Sequence, residues 1–132
     1  MLFIGLVITS VGFTIPSFIA FRRKKKQMGI LCSILSGTSI LYHGTQKAFF
    51  KYIDIAYAHS LGSFYFIQSI ARCFIHKRLY DVFMFTGTLS SILLFYKGPC
   101  NNKLTEKKKL QYHMLFHMCS QSMMCLHAID SK

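Results

Sequence analysis

Residues 2–21, LFIGLVITSVGFTIPSFIAF, run for twenty positions without a charge and are followed at once by RRKKKQ at 22–27. At 1.5 Å per residue such a helix is about 30 Å long, the thickness of a bilayer's hydrocarbon core. Cations bunched at its end sit where lipid headgroups anchor a spanning helix. Four more apolar segments repeat the pattern at about 28–43, 52–75, 79–96 and 110–129, the second being marginal in length. The breaks GTQKAFFK, HKR and KGPCNNKLTEKKK supply charge, and Gly98-Pro99 and Asn101-Asn102 supply helix-ending signals. The expected fold is all-α, a polytopic transmembrane helical bundle of about five spans. Its connections are too short to house a second domain, so residues 1–132 form one.

Composition supports this. Of 132 residues 52% are hydrophobic and 15% charged, with 16 Lys+Arg against 4 Asp+Glu and a net charge of +12; mean hydropathy is +0.37. A disordered chain is excluded, and a water-soluble domain would carry about 25% charged residues. The excess of cations raises the question of nucleic acid. The 13 Phe and 7 Tyr lie mostly within the apolar segments, however, while the cations lie between them. The expected partners are therefore membrane lipids, with no nucleic acid. Five cysteines, an odd number without a C-x-x-C pair, indicate neither a disulfide framework nor a thiolate zinc site. The first segment has its charges after it, unlike a cleavable signal peptide, and is expected to be a mature helix. Lys and Arg divide eight to seven between the two sides, with Lys132 among the eight. The first helix then decides, placing residues 22–26 in the cytoplasm.

Ionisable residues inside a span are costly and face the bundle interior, so each is a functional candidate. The second segment ends in Ser39-Ile40-Leu41-Tyr42-His43, which sets a hydroxyl and an imidazole one turn apart on one face. The third opens with Asp54, the first acidic residue of the chain, and the fifth contains His113 and His117, again i and i+4. With successive spans antiparallel, the end of the second, the start of the third and the start of the fifth lie on one membrane side. Three neutral imidazoles with water in the fourth position make an open, catalytic type of zinc site. Zn2+ on His43, His113 and His117 would lower the pKa of that water towards about 7 and polarise a carbonyl. Asp54 would orient or deprotonate the water, and Ser39 would hold it or the developing oxyanion.

At these residues the sequence resembles the intramembrane hydrolase superfamily of alkaline ceramidases, progestin and adiponectin receptors, the myomaker group and related GPI-anchor remodelling proteins. Its pattern, Ser-x-x-x-His late in the second helix, Asp early in the third and His-x-x-x-His in the last, is met here by Ser39/His43, Asp54 and His113/His117. The step from His43 to Asp54 is most similar to that of the alkaline ceramidases. The resemblance implies zinc on the three histidines, help to the water from Ser39 and Asp54, hydrolysis of a lipid amide or ester, and an intracellular membrane such as the ER or Golgi. The family typically has seven spans; losing two before the last preserves its direction, so the site still assembles. The acidic, calcium-binding N-terminal segment of the alkaline ceramidases has no counterpart before Asp54.

Simpler roles stand beside these. His113 and His117 could be interhelical hydrogen-bonding groups, His43 an interfacial histidine, Asp54 a helix cap and Ser39 a packing residue. His43 with His117 could instead bind a haem as axial ligands, which leaves Asp54 and Ser39 without a task. The chain could also be a non-catalytic subunit of an oligomer or larger membrane assembly, its basic loops contacting anionic lipids or partners. His59, His76 and His127 are left outside the site, and Arg72 reads as a snorkelling cation.

Overall fold

The computed structural model describes residues 2–130, so Lys132 of the charge count lies outside them. The described residues are all-helical: α1 (Leu2–Val11), α2 (Thr14–Arg22), α3 (Lys26–Thr45), α4 (Ala48–His76), α5 (Leu79–Lys97) and α6 (Glu106–Ile129), with no strand. The first two make one rod broken near its middle, and Pro16 supplies the reason. Its ring has no N–H and crowds the carbonyl four residues back, so the ladder cannot pass regularly through Gly12. The chain tightens there instead. The Phe13 amide bonds Ser10 O at 3.2 Å and the Ile15 amide bonds Gly12 O at 3.1 Å, both three residues back. The Thr9 carbonyl, left without the Phe13 amide, takes the side-chain amide of Gln121 on α6.

The helices run past the expected segment ends. α3 reaches Thr45 and α4 begins at Ala48, so most of the expected break at 44–51 is helical. Likewise α6 begins at Glu106, before the apolar stretch. Hydropathy marks where a helix is apolar, whereas backbone hydrogen bonding decides where it stops. The stop between α3 and α4 is made by Gln46, left-handed at φ 56°, whose amide bonds Tyr42 O at 2.8 Å.

The rods close a ring. α3 packs on α1 and α2, α4 on α3, α5 on α4 and α6 on α5, and α6 returns to α1 and α2. The inner faces mix an apolar cluster of Phe13, Cys32, Leu35, Leu61, Tyr65 and Met124 with buried hydroxyls of Ser10, Ser17, Ser36, Ser39, Ser69, Thr88 and Ser91, while Ile8, Phe18, Phe64, Ile67 and Phe83 are more than half exposed. Serines join α1 and α2 to α3, with Ser10 Oγ 2.9 Å from Ser39 Oγ, Ser36 Oγ donating to Ser10 O at 3.0 Å and Ser17 Oγ donating to Gly29 O at 2.8 Å. Two helices, Ile4–Arg22 (α1 with α2) and Leu79–Lys97, are long and apolar enough to cross a membrane. The other three rods are as long but less apolar, with exposed polar residues such as His59, Ser60 and Gln68 of α4 beside their buried Ser, His and Asp side chains.

At one end of the ring, Arg72 is not a snorkelling cation. Its guanidinium bridges Asp81, at 3.2 Å, and Asp130. Asp81, an acid the sequence reading passed over, is 1% exposed and also takes Arg78 at 2.8 Å. Lys25 donates to His127 O at 2.8 Å and to the Asp130 carbonyl, which ties the α2–α3 link to the end of α6. Burial and the neighbouring guanidiniums of Arg72 and Arg23 lower the Lys25 ammonium from its ordinary value. Removing one member of a buried ion pair strands the other. Asp81→Ala leaves Arg72 with Asp130 but takes the carboxylate from Arg78, and is expected to lower the stability of the fold, read by chemical unfolding followed by circular dichroism. An unchanged midpoint would show that the cluster is incidental to the bundle.

Candidate metal centre

The ring encloses a cavity of about 700 Å³, and all five predicted site residues line it: Ser39, His43, Asp54, His113 and His117. The antiparallel course explains why. α3 ends at the same end of the ring where α4 starts and α6 begins, so late residues of α3 meet early residues of α4 and α6. Exposed Gln46, Lys51 and Glu106 line the cavity at this end, so it reaches the surface there.

The three imidazoles form one cluster across the lumen. Ring centroids are 5.1 Å apart for His43 and His113, 5.5 Å for His43 and His117, and 4.7 Å for His113 and His117. One ligand nitrogen from each lies within 4.8 Å of the other two. Zinc–imidazole bonds are about 2.0–2.1 Å long, so modest side-chain rotations inside that sphere would bring three nitrogens onto one ion. His113 touches both of the other rings, which makes the cluster a nest for an ion more than a slot for a flat macrocycle.

Hydrogen bonding tests whether these residues fit a metal. Among the described residues, His43 Nε2 is the only buried side-chain nitrogen or oxygen without a hydrogen-bond partner. Leaving such a group unpaired costs about 1–3 kcal/mol, and a ligand bond to a cation would remove that cost. The simpler expectation of interhelical hydrogen bonding is met at His117, which bonds Thr9 of α1, while no hydrogen bond joins the three rings to one another among the described residues. His117 Nδ1 lies 3.1 Å from Thr9 Oγ1, and the edge of Phe13 packs at 5.4 Å. A donor set of three imidazoles, one orphaned and one oriented by an outer hydroxyl, suits a borderline-soft divalent cation.

Asp54 is 7% exposed, and its Oδ1 accepts the Thr38 hydroxyl at 3.1 Å. This bond crosses from α3 to α4, and because α4 already begins at Ala48 with Lys47 as its N-cap residue, Asp54 lies inside the helix and does not cap it. Ser39 is 2% exposed and its hydroxyl meets Ser10. Because Ser10 Oγ donates to Leu6 O at 2.7 Å, the proton shared by the two serines belongs to Ser39. Ser39 therefore first ties α1 to α3.

Sequence reasoning missed Thr9, Ser10, Phe13 and Thr38, all packed around the five candidates. Thr9-Ser10 does stand out as a hydroxyl pair inside an otherwise apolar run. His127, set aside from the sequence, lines the same cavity at its inner end, with Nε2 3.4 Å from Ser69 Oγ. Ten residues of α6, about 15 Å, separate it from His117, so it does not belong to the cluster. His59 also lines the cavity, but its ring nitrogen is held by Ile55 O at 2.8 Å.

The purified chain is expected to carry about one zinc ion, and His43→Ala, His113→Ala and His117→Ala are each expected to lose it. Elemental analysis of the four proteins decides; zinc bound equally by wild type and His117→Ala would mean that the rings merely pack. Compared with protein-family models, with curated proteins and with solved structures, the chain matches none.

Proposed function

We propose that this chain is a multi-pass membrane protein and a zinc-dependent hydrolase of a lipid amide or ester, of the kind its resemblance to the alkaline ceramidases suggests. The observation that carries this reading is the buried histidine cluster, with His43 Nε2 unpartnered and all five candidate residues around one cavity. His43, His113 and His117 would hold the ion. A bound zinc supplies a Lewis acid and an activated water.

The chain's own residues account for the rest. Asp54 takes the proton of the attacking water, and the Thr38 hydroxyl keeps that carboxylate turned in the right direction. Ser39 exchanges Ser10 for the developing oxyanion and donates to it. Five rods are enough to enclose the cavity, whose volume of about 700 Å³ falls within the about 300–1,000 Å³ usual for small-molecule sites. Ile, Phe and Tyr among its lining residues suit the apolar part of a lipid.

Exposed side chains support the membrane assignment. A surface this rich in exposed Ile and Phe is disfavoured in water, while lipid favours it. Membrane lipids are then the immediate partners, and an oligomer or larger assembly would form through the same outward faces.

Asp54→Asn is expected to lower lipid turnover by about 10²–10⁴-fold while zinc content stays near that of wild type. The measurement is single-turnover hydrolysis of a panel of amide- and ester-linked lipids by zinc-loaded protein in detergent. Zinc lost together with activity would make Asp54 structural, and wild type inert on the whole panel would remove the hydrolase reading.

A further inference from the structure

The metal reading leaves open what selects the nitrogen that His117 offers. The Thr9 hydroxyl has two neighbours, Leu6 O at 3.1 Å and His117 Nδ1 at 3.1 Å. It has one proton, and a carbonyl oxygen can only accept. With its proton on Leu6 O, which also takes the Ser10 hydroxyl at 2.7 Å, the Thr9 hydroxyl is an acceptor for His117, an arrangement that pairs with the tautomer carrying its proton on Nδ1 and its lone pair on Nε2. Metal-bound histidines are commonly fixed in this way, by an acceptor on the nitrogen that faces away from the ion.

Two features hold the hydroxyl in place. The Thr9 carbonyl takes the Gln121 amide, and Gln121 lies one turn beyond His117 on the same face of α6. That carbonyl lacks the Phe13 amide, which bonds Ser10 O at the break, and takes the Gly12 amide at 3.2 Å beside the Gln121 amide. Phe13, just past the break, packs against the His117 ring with centroids 5.4 Å apart. Thr9 thus contacts α6 through both its side chain and its backbone.

We propose that Thr9 is the positioning residue of the metal centre, holding His117 as the Nδ1–H tautomer with Nε2 presented to His43 and His113. The proposal rests on the metal reading, and the test separates the two. Thr9→Val removes the hydroxyl at nearly constant shape; Thr9→Ser keeps it. Affinity of the detergent-purified full chain for Zn2+ alone is measured by competition with a chromophoric chelator, with His43→Ala alongside. Nitrogen-15 spectra of the metal-free wild type report the His117 tautomer.

Thr9→Val is expected to bind Zn2+ about 10–100-fold more weakly, Thr9→Ser close to wild type, and His43→Ala not at all, with Nδ1 protonated in the metal-free protein. Thr9→Val binding as tightly as wild type while His43→Ala fails would overturn the role of Thr9 and leave the metal centre standing. Equal losses in Thr9→Val and Thr9→Ser would also overturn it, because the hydroxyl would then not be the cause. If wild type binds no Zn2+, both readings fall. Should Thr9→Val not fold, an Nε2-protonated His117 in wild type would be sufficient to reject the proposal.

Discussion

A set of hydroxyls and imidazoles faces inwards, Ser10, Ser17, Ser36, Ser39, His43, Ser69, Thr88, Ser91 and His117 among them, and the rest of the structure depends on those groups finding partners there. A buried polar group without a partner costs more than a well-placed hydrogen bond contributes. Ser10 on Ser39, Ser36 on the Ser10 carbonyl, Ser17 on the Gly29 carbonyl and Thr38 on Asp54 are the joints by which neighbouring rods recognise one another. Small hydroxylated residues also allow the rods to approach closely, which dispersion rewards.

Against that rule His43 Nε2 stands out, because the bundle satisfies nearly everything else. Its isolation sits where α3 faces α6 across the lumen and where His113 and His117 converge. An ion bound there would bridge rods that are second neighbours in the ring. Metal binding would then be coupled to the closure of the bundle as well as to chemistry.

The two ends of the cavity do different work. At one end, Arg72, Arg78, Asp81, Asp130 and Lys25 form a buried ionic cluster joining α4, α5, α6 and the α2–α3 link. At the other, the histidines and Asp54 lie beside exposed residues through which water and ligand can enter. Both carboxylates at the first end are paired with guanidiniums, and Lys25 is held by backbone carbonyls. At the second end the polar groups are sparse and incompletely paired, the usual state of a site that awaits a ligand.

How much could be read without coordinates differs by feature. Apolar stretches of helical length and polar punctuation determined that the chain is helical and roughly where each rod lies. Strict alternation of rod direction determined that Ser39, His43, Asp54, His113 and His117 share one end, because parity follows from the number of rods alone. Helix ends were less legible, since Glu106 and Ala48 continue helices that hydropathy cuts short. Arg72, Asp81 and Asp130 are separated along the chain by up to 58 residues, and no local pattern announces that they meet. Thr9 was hidden for the same reason, its partner His117 lying 108 residues away. Periodicity and charge are properties of neighbours in sequence. Which proton faces which lone pair across the lumen depends on the rotation of each rod about its own axis, and only packing of the whole ring fixes that.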